Sequence, residues 1–238
     1  MNVEFLPCGD SAFAVQFGDR VDRMLSRRVM GLHAALRARP LPGVVETVPT
    51  FRSLLVHYDP RRTSQKALRD LIHPIATVDM TIESHGRHFK IPVCYDTQLA
   101  FDLLDVAANL GMKPEEVVRI HSETEHYVYM IGFAPGHPYI GDLPQSLVLP
   151  RREDPRPRVE VGTIAIAVGM TVIYPFDNPC GWHVIGRTPL RLFDLRRSPP
   201  NVLAAGDMVE FNPISIAEFD RLDAANDPQA RSEGQVLS

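Results

Sequence analysis

Over the first eighty or so residues the apolar positions switch twice from period two to helical spacing. Residues 3–6 form a short extended run, and residues 12–17 alternate so that Phe13, Val15 and Phe17 share one face. From Asp22 to Arg39 the period changes. Val21, Leu25, Val29, Leu32 and Leu36 recur at helical spacing while Arg23, Arg27, Arg28 and Arg37 fall elsewhere, the pattern of an amphipathic helix. Residues 40–43 (PLPG) stop it. Residues 44–49 and 51–58 read as two more strands. Residues 64–75 read as a second helix with Leu68, Leu71 and Ile72 inward, ended by His73-Pro74. This order predicts an α+β fold that begins with a small domain over 1–82, one sheet covered by two helices.

A second domain is expected over 83–222, followed by a polar tail over 223–238. Residues 76–87 are polar, part linker and part entry into a strand over 88–94 (HFKIPVC). Thr97 reads as the N-cap of a helix carrying Leu99, Leu103, Val106, Ala107 and Leu110, with Gly111 as its C-terminal stop. Pro114, Glu115 and Glu116 start another helix, running to about Ser122. Beyond an apolar run over 127–131 the chain is almost all strand and turn, which predicts a barrel or sandwich. Within it, residues 163–168 place Ile164, Ile166 and Val168 on one face and Ala165 and Ala167 on the other. The large residues mark a core face, and the alanines imply that something approaches closely. Gly169 reads as a bulge in a run that continues to Tyr174. Further strands are expected over 182–186, 189–194 and 208–211, and a helix over 214–222.

Composition narrows the classes of function. Of 238 residues, 45% are hydrophobic and 23% charged, and the net charge of -4 gives no field that favours nucleic acid or an anionic membrane. The three cysteines, Cys8, Cys94 and Cys180, are odd in number and far apart, which is no disulfide framework. The first residues lack the pattern of a signal peptide, and no apolar run approaches the roughly 20 residues of a membrane span. The expectation is a cytoplasmic protein.

The candidate chemistry centres on residues 132–141, GFAPGHPYIG, which follow the apolar run. Glycines and prolines make this a stiff loop, and Phe133, His137 and Tyr139 are interleaved in it. It is either a site or a hydrophobic corner that closes a barrel. Arg151, Arg152, Arg156 and Arg158 form the densest basic segment. They read either as an anion site or, with Glu153 and Asp154 among them, as a solvated face. Trp182, the sole tryptophan, precedes His183 and Arg187 on a segment able to face the loop. His85, His88, His121 and His126 lack carboxylate or cysteine partners at ligand spacing, so no metal site is expected. There is no GxSxG, no phosphate-binding loop and no GxGxxG, and Cys180 has no identifiable base.

Several motifs in one order carry a resemblance. They are GDSA at 9–12, FRSLLVHYDP at 51–60, GFAPGxPY at 132–139, PRR at 150–152 and GWxxIGRTP at 181–189. Together they resemble the carboxyltransferase subdomain C and D family. That family includes the B-type subunit of the prokaryotic 5-oxoprolinase and a bacterial sporulation-kinase inhibitor, and has also been labelled allophanate hydrolase subunit 1. The resemblance implies that the second domain is a cyclophilin-like β-barrel. It also implies an ATP-dependent 5-oxoprolinase-like complex that opens the 5-oxoproline lactam to glutamate, with ATP as co-substrate. The partners would be a C-type carboxyltransferase companion and an A-type subunit of the LamB/YcsF kind. Alternatives within the resemblance are an inhibitor that docks on a histidine kinase and the carboxyltransferase half of a urea carboxylase. The chain departs from the family pattern at His137, where the loop usually carries phenylalanine, at Met170 and at Cys180.

The segments are expected to meet on one concave face of the barrel. Gly132, Phe133, Pro135, Gly136, His137 and Tyr139 would contribute the loop, with Arg151 or Arg158, Thr171 beside Met170, and Trp182, His183 and Arg187 around it. Trp182 would form an apolar wall and Arg187 a fixed cation for a carboxylate. His137 would act either as a proton carrier or as a neutral packing group. If the segments do not meet, they are folding corners or a docking surface.

Overall fold

The computed structural model describes residues 3–78 and 86–226. Its contacts divide the chain into two compact units, Met1–Gly86 and Arg87–Ser238. The boundary expected between 82 and 83 falls in residues 79–85, outside the described residues.

The first unit contains β1 (Glu4–Pro7), β2 (Ala12–Gln16), α1 (Arg23–Ala38), β3 (Val44–Pro49), β4 (Ser53–Tyr58) and α2 (Gln65–Thr77). The strands form one antiparallel sheet in the order β1-β2-β4-β3. Asp22 caps α1, its Oδ1 accepting from the backbone N–H of Met24 at 2.8 Å and Leu25 at 3.2 Å. Alternation turns Phe13, Val15, Leu54, Val56 and Tyr58 to one face, where they pack against Val29, Leu32 and Leu36 of α1 and Leu68, Ile72 and Ala76 of α2. Two expectations fail in α2. Leu71 is 51% exposed, because the buried stripe runs Leu68-Ile72-Ala76 at strict four-residue spacing. Pro74 does not end the helix, which continues to Thr77. A proline removes a single N–H donor. Here burial of Ala76, whose carbonyl accepts from Arg28 Nη2 at 3.2 Å, and the Thr77 hydroxyl bonded to the His73 carbonyl at 2.9 Å hold the last turn.

The second unit contains β5 (His88–Cys94), α3 (Leu103–Leu110), α4 (Pro114–Glu123), β6 (His126–Ile131), β7 (Pro138–Gly141), β8 (Arg156–Val159), β9 (Thr163–Ala167), β10 (Met170–Ile173), β11 (Asn178–Cys180), β12 (His183–Arg187), β13 (Met208–Ile214) and α5 (Ile216–Asn226). Seven strands close into a barrel in the order β10-β7-β6-β13-β5-β12-β9, antiparallel except for the parallel pair β5 and β13. Strands β8 and β11 form a separate antiparallel ribbon. Every barrel strand sends apolar side chains to one interior: Ile91 and Val93, Val128, Ile140, Ile164 and Ile166, Ile173, Ile185, and Val209 and Phe211. Leu103, Val106 and Ala107 of α3 and Val117 of α4 join the same cluster. Each such side chain contributes about 1.5–3 kcal/mol when fully buried.

A polar network runs through this apolar cluster. His121 is fully buried on α4, stacked on Phe211 with centroids 4.4 Å apart. Its Nδ1 lies 2.7 Å from the Tyr95 hydroxyl and its Nε2 3.1 Å from the Thr171 hydroxyl. His126 Nε2 lies 3.0 Å from the His121 carbonyl. Burial, reinforced by neighbouring His126, holds the His121 imidazole neutral, well below its usual pKa. Both histidines are thus committed to internal hydrogen bonds.

Three local expectations also give way. Helix α3 starts at Leu103, not near Thr97. The Asp96 carboxylate and carbonyl close a separate turn, and the Asp102 backbone N–H goes to the Val184 carbonyl at 2.9 Å. Residues 189–194 make only the isolated bridge between Phe193 and Asn201, because the Asp194 carboxylate accepts the Arg196 N–H and turns the chain. The helix expected over 214–222 is α5, four residues longer at its end, so 223–226 are helical and the remaining tail lies outside the described residues.

Gly169 is not a bulge. Val168 and Gly169 form a two-residue hairpin turn between β9 and β10, with Ala167 paired to Met170 and φ of 47° and 78°. Glycine takes this conformation freely, whereas a β-branched valine is strained there. Val168 is 51% exposed, so it gains little burial in return. Val168→Asn should therefore stabilise the protein by about 1 kcal/mol, read as a raised urea midpoint with an unchanged m-value. A lowered midpoint would show that the valine side chain contributes more than its backbone strain.

Candidate functional site

The residues singled out in the loop lie between β6 and β7. Ile131 pairs with Pro138, and residues 132–137 bridge them. The Gly132 N–H donates to the His137 carbonyl at 3.0 Å, and the His137 N–H to the Ala134 carbonyl at 3.0 Å, so the loop is closed on itself. Gly136 has φ +73°, and a Cβ there would lie 2.7 Å from Cβ of Phe193, so no larger residue fits. Phe133 also has positive φ, 70°, and is 68% exposed. A bulky residue held in this region is strained, and such strain clusters at functional sites.

From this loop the strand alternation builds a second apolar surface, on the face of the barrel opposite Ile164 and Ile166. Ala165 and Ala167 of β9, Val172 and Tyr174 on and after β10, and Val184 of β12 cluster there with Val159, Cys180 and Trp182. Tyr139 packs against them. The small alanine side chains leave room for the large rings, as their pattern predicts.

A pocket of about 150 Å³ opens on this surface, lined by Phe133, His137, Tyr139, Arg151, Val172, Tyr174, Pro179, Gly181 and Trp182. The His137 ring meets the edges of Phe133, Tyr139 and Tyr174 at centroid distances of 5.2, 5.3 and 5.0 Å. Tyr139 lies edge-on to Trp182 at 6.2 Å, and the Arg151 guanidinium sits 5.9 Å from the Trp182 ring centroid. His137 is 2% exposed, and burial lowers its pKa to about 4. Its Nδ1 is buried without a hydrogen-bond partner among the described residues. Burial also raises the Tyr139 and Tyr174 phenols, the latter helped by its hydrogen bond with Cys180, so both are neutral at pH 7.

Of the expected site residues, Phe133, His137, Tyr139, Arg151 and Trp182 meet in this pocket. The others are placed elsewhere. Thr171 faces the barrel interior and bonds His121. His183 Nε2 lies 2.9 Å from the Pro150 carbonyl. Arg158 pairs with Asp177. Arg187 pairs with Glu160, donates to the Val161 carbonyl at 2.9 Å and lies over the Phe219 ring. Gly132, Pro135 and Gly136 shape the loop without lining the pocket. Arg152 and Arg156 are engaged by the buried Asp102 carboxylate at 2.8 and 2.6 Å. The basic segment thus reduces, as an anion site, to Arg151.

Sequence reasoning missed Asp102 and Tyr174. Tyr174 was within reach, since it follows Val172 at period two on the same strand face. Asp102 carried no local signal, because its partners are fifty or more residues away. Among the described residues no group of three or more histidines, cysteines or carboxylates converges to hold a metal, and no helix is long and apolar enough to cross a membrane.

The family model for the carboxyltransferase domain, subdomain C and D, matches residues 3–203. The chain belongs to that family. It is 37% identical over 222 residues to the 5-oxoprolinase B-type subunit of Bacillus subtilis (strain 168), covering 89% of this chain and 92% of that protein. It is 35% identical over 208 residues to the 5-oxoprolinase B-type subunit of Escherichia coli O157:H7, covering 86% and 93%. The crystal structure of the K. lactis urea amidolyase matches 94% of this chain and 15% of its own with a TM-score of 0.77. At 19% identity that likeness is one of fold.

The packing makes two outcomes measurable. Asp102→Ala should destabilise the second unit by about 3 kcal/mol, because it strands two guanidiniums and the buried Val184 N–H, whose bond to Asp102 Oδ2 is 2.7 Å. Urea unfolding checks this, and a loss below about 1 kcal/mol would show that the arginines find other partners. For His137 the sign follows from its lowered pKa. Between about 6.5 and 4 the unfolded chain binds a proton that the folded chain refuses. Its contribution to stability is therefore complete above 6.5 and is lost as the pH falls toward 4. His137→Phe should flatten part of the decline in urea midpoint between pH 7 and 4.5. An unchanged decline would mean that His137 titrates near its ordinary value.

Proposed function

We propose that this chain acts as the B-type subunit of an ATP-dependent 5-oxoprolinase-like complex, opening the 5-oxoproline lactam to glutamate. The observation that supports this most is coverage. The 37% identity to the Bacillus subtilis relative extends over 92% of that protein, so the likeness is to the whole polypeptide and not to one shared domain. A lactam is an unactivated amide, and coupling its opening to phosphorylation by ATP supplies an electrophile with a good leaving group. ATP enters as co-substrate of the complex. The chain's own pocket offers a neutral imidazole, two neutral phenols and one guanidinium, a set suited to holding a small molecule. This chain is therefore assigned to binding, with a C-type carboxyltransferase companion and a LamB/YcsF-type partner, the A-type subunit, completing the complex. A second reading, the carboxyltransferase half of a urea-type enzyme, has the K. lactis fold likeness in its favour, with far lower identity.

The test is reconstitution. The purified chain should show no lactam opening by itself. Together with the A-type and C-type partners from the same cell it should release glutamate from 5-oxoproline only when ATP is present. Turnover by the single chain, or none by a complex that co-purifies, overturns the reading. Tight binding to a histidine kinase core in place of those two partners would favour the inhibitor alternative.

A further inference from the structure

We propose that two copies of this chain associate by seating the loop tip at Leu195 of one copy in the acid-rimmed groove between α3 and α4 of the other. The groove holds about 400 Å³ and is floored by Tyr95, Leu103, Leu104, Pro114 and Val118. Leu104 is 57% exposed, and Phe101, close to it in sequence, is 55% exposed. Large apolar side chains left open beside a groove mark a contact surface. The rim is acidic. Asp96 and Glu115 line it, and no lysine, arginine or histidine does. The Asp96 carboxylate accepts the Gln98 backbone N–H at 2.9 Å, and neither acid has a cation at ion-pair distance among the described residues. Other carboxylates of the barrel unit, Asp177, Asp194, Asp207 and Glu218, each hold an arginine. An unpaired acidic rim around an apolar floor fits an apolar side chain flanked by cations.

The chain carries that complement itself. Residues 195–199 (LRRSP) are exposed in succession, and Leu195, at 81%, is the most exposed large apolar side chain among the described residues. Arg196 and Arg197 follow it. Arg197 donates to the Arg191 carbonyl at 2.6 Å and has no carboxylate at ion-pair distance among the described residues. The tip is held in shape before any partner arrives. Asp194 Oδ1 accepts the Arg196 N–H at 2.9 Å, the Asp194 carbonyl accepts the Arg197 N–H at 3.0 Å, and the Asp194 N–H donates to the Pro200 carbonyl at 3.0 Å. A pre-shaped loop loses little entropy on docking. Leu195 stands clear of its own groove, and tip and groove share no residue, so the seat is taken by another copy. Such a contact closes as a pair when it is made in both directions and runs on as an open filament when it is not. The tip is smaller than the roughly 20 residues a side of a stable interface, so the expected association is weak.

Sedimentation velocity of the full chain, over a series from micromolar to near-millimolar, reads the association. We expect the mean mass to rise with concentration and the association to weaken with added salt, because the rim contacts are charged. Leu195→Asp and Leu104→Asp should each weaken association at least about tenfold, by setting a carboxylate against the acidic rim or on the apolar floor. Both leucines are exposed, so neither change should move the urea midpoint. Mixing the two variants supplies a readout that damage to the fold would not give. Leu195→Asp keeps an intact groove and Leu104→Asp an intact tip, so their equimolar mixture should form one-to-one pairs that neither variant forms alone. A dye on Cys8, the one exposed cysteine, marks one variant for this measurement. A chain that stays monomeric throughout overturns the proposal, as does association that either variant leaves unchanged. A mixture as monomeric as its two components also overturns it. If Leu104→Asp costs the chain a partner subunit while the wild type alone is monomeric, the groove belongs to that subunit and the proposal fails.

Discussion

The second unit depends on one buried carboxylate. Asp102, 1% exposed, accepts four hydrogen bonds, from Arg152, twice from Arg156, and from the Val184 backbone N–H. A buried charge is costly unless it is paired and its lone pairs are filled. Here both conditions are met by groups from two other segments, residues 152–156 at the entry to β8 and Val184 of β12, which are thereby tied to the start of α3. The carboxylate therefore fixes where residues 151–156 run relative to β12. That position sets Arg151 beside Trp182. Without it, the basic stretch would be the solvated face that its mixed charges first imply.

The barrel then uses its two faces differently. Along β9, Ile164 and Ile166 turn into a closed apolar interior, while Ala165 and Ala167 leave shallow ground outside for Trp182 and Tyr174. His121 inside and His137 outside are both buried and neutral, but they differ in their partners. His121 has both ring nitrogens engaged and a stacked phenylalanine beneath it, so it stiffens the interior and offers nothing to a ligand. His137 is enclosed by three ring edges, yet keeps a nitrogen without a partner among the described residues, at a pocket that opens outward. Strain falls on the same side, since Phe133 is held at positive φ on the pocket lip.

The outer pocket is lined by aromatic rings, one guanidinium and a neutral imidazole. The residues lining the pocket include no nucleophile with a base beside it, and its histidine is too weak a base to carry protons at neutral pH.

By itself the sequence determined the elements and the family. The alternation of Phe13, Val15, Leu54 and Val56, the helical stripe of α1 and the Ile/Ala alternation of β9 are local signals, because side-chain direction follows the backbone period. The loop over 132–139 was legible as a stiff break after a buried strand for the same reason: glycine and proline act on the backbone where they stand. The folded chain alone decided which cations are free. Arg151, Arg152, Arg156, Arg158 and Arg187 are alike as residue types, and pairing with Asp102, Asp177 and Glu160 is set by contacts across nineteen to fifty-four residues. The same holds for Pro74, which burial of Ala76 keeps inside a helix, and for Val168, which hairpin closure forces to positive φ. Local propensity is a matter of tenths to a few kcal/mol, and a buried contact made elsewhere in the chain outweighs it.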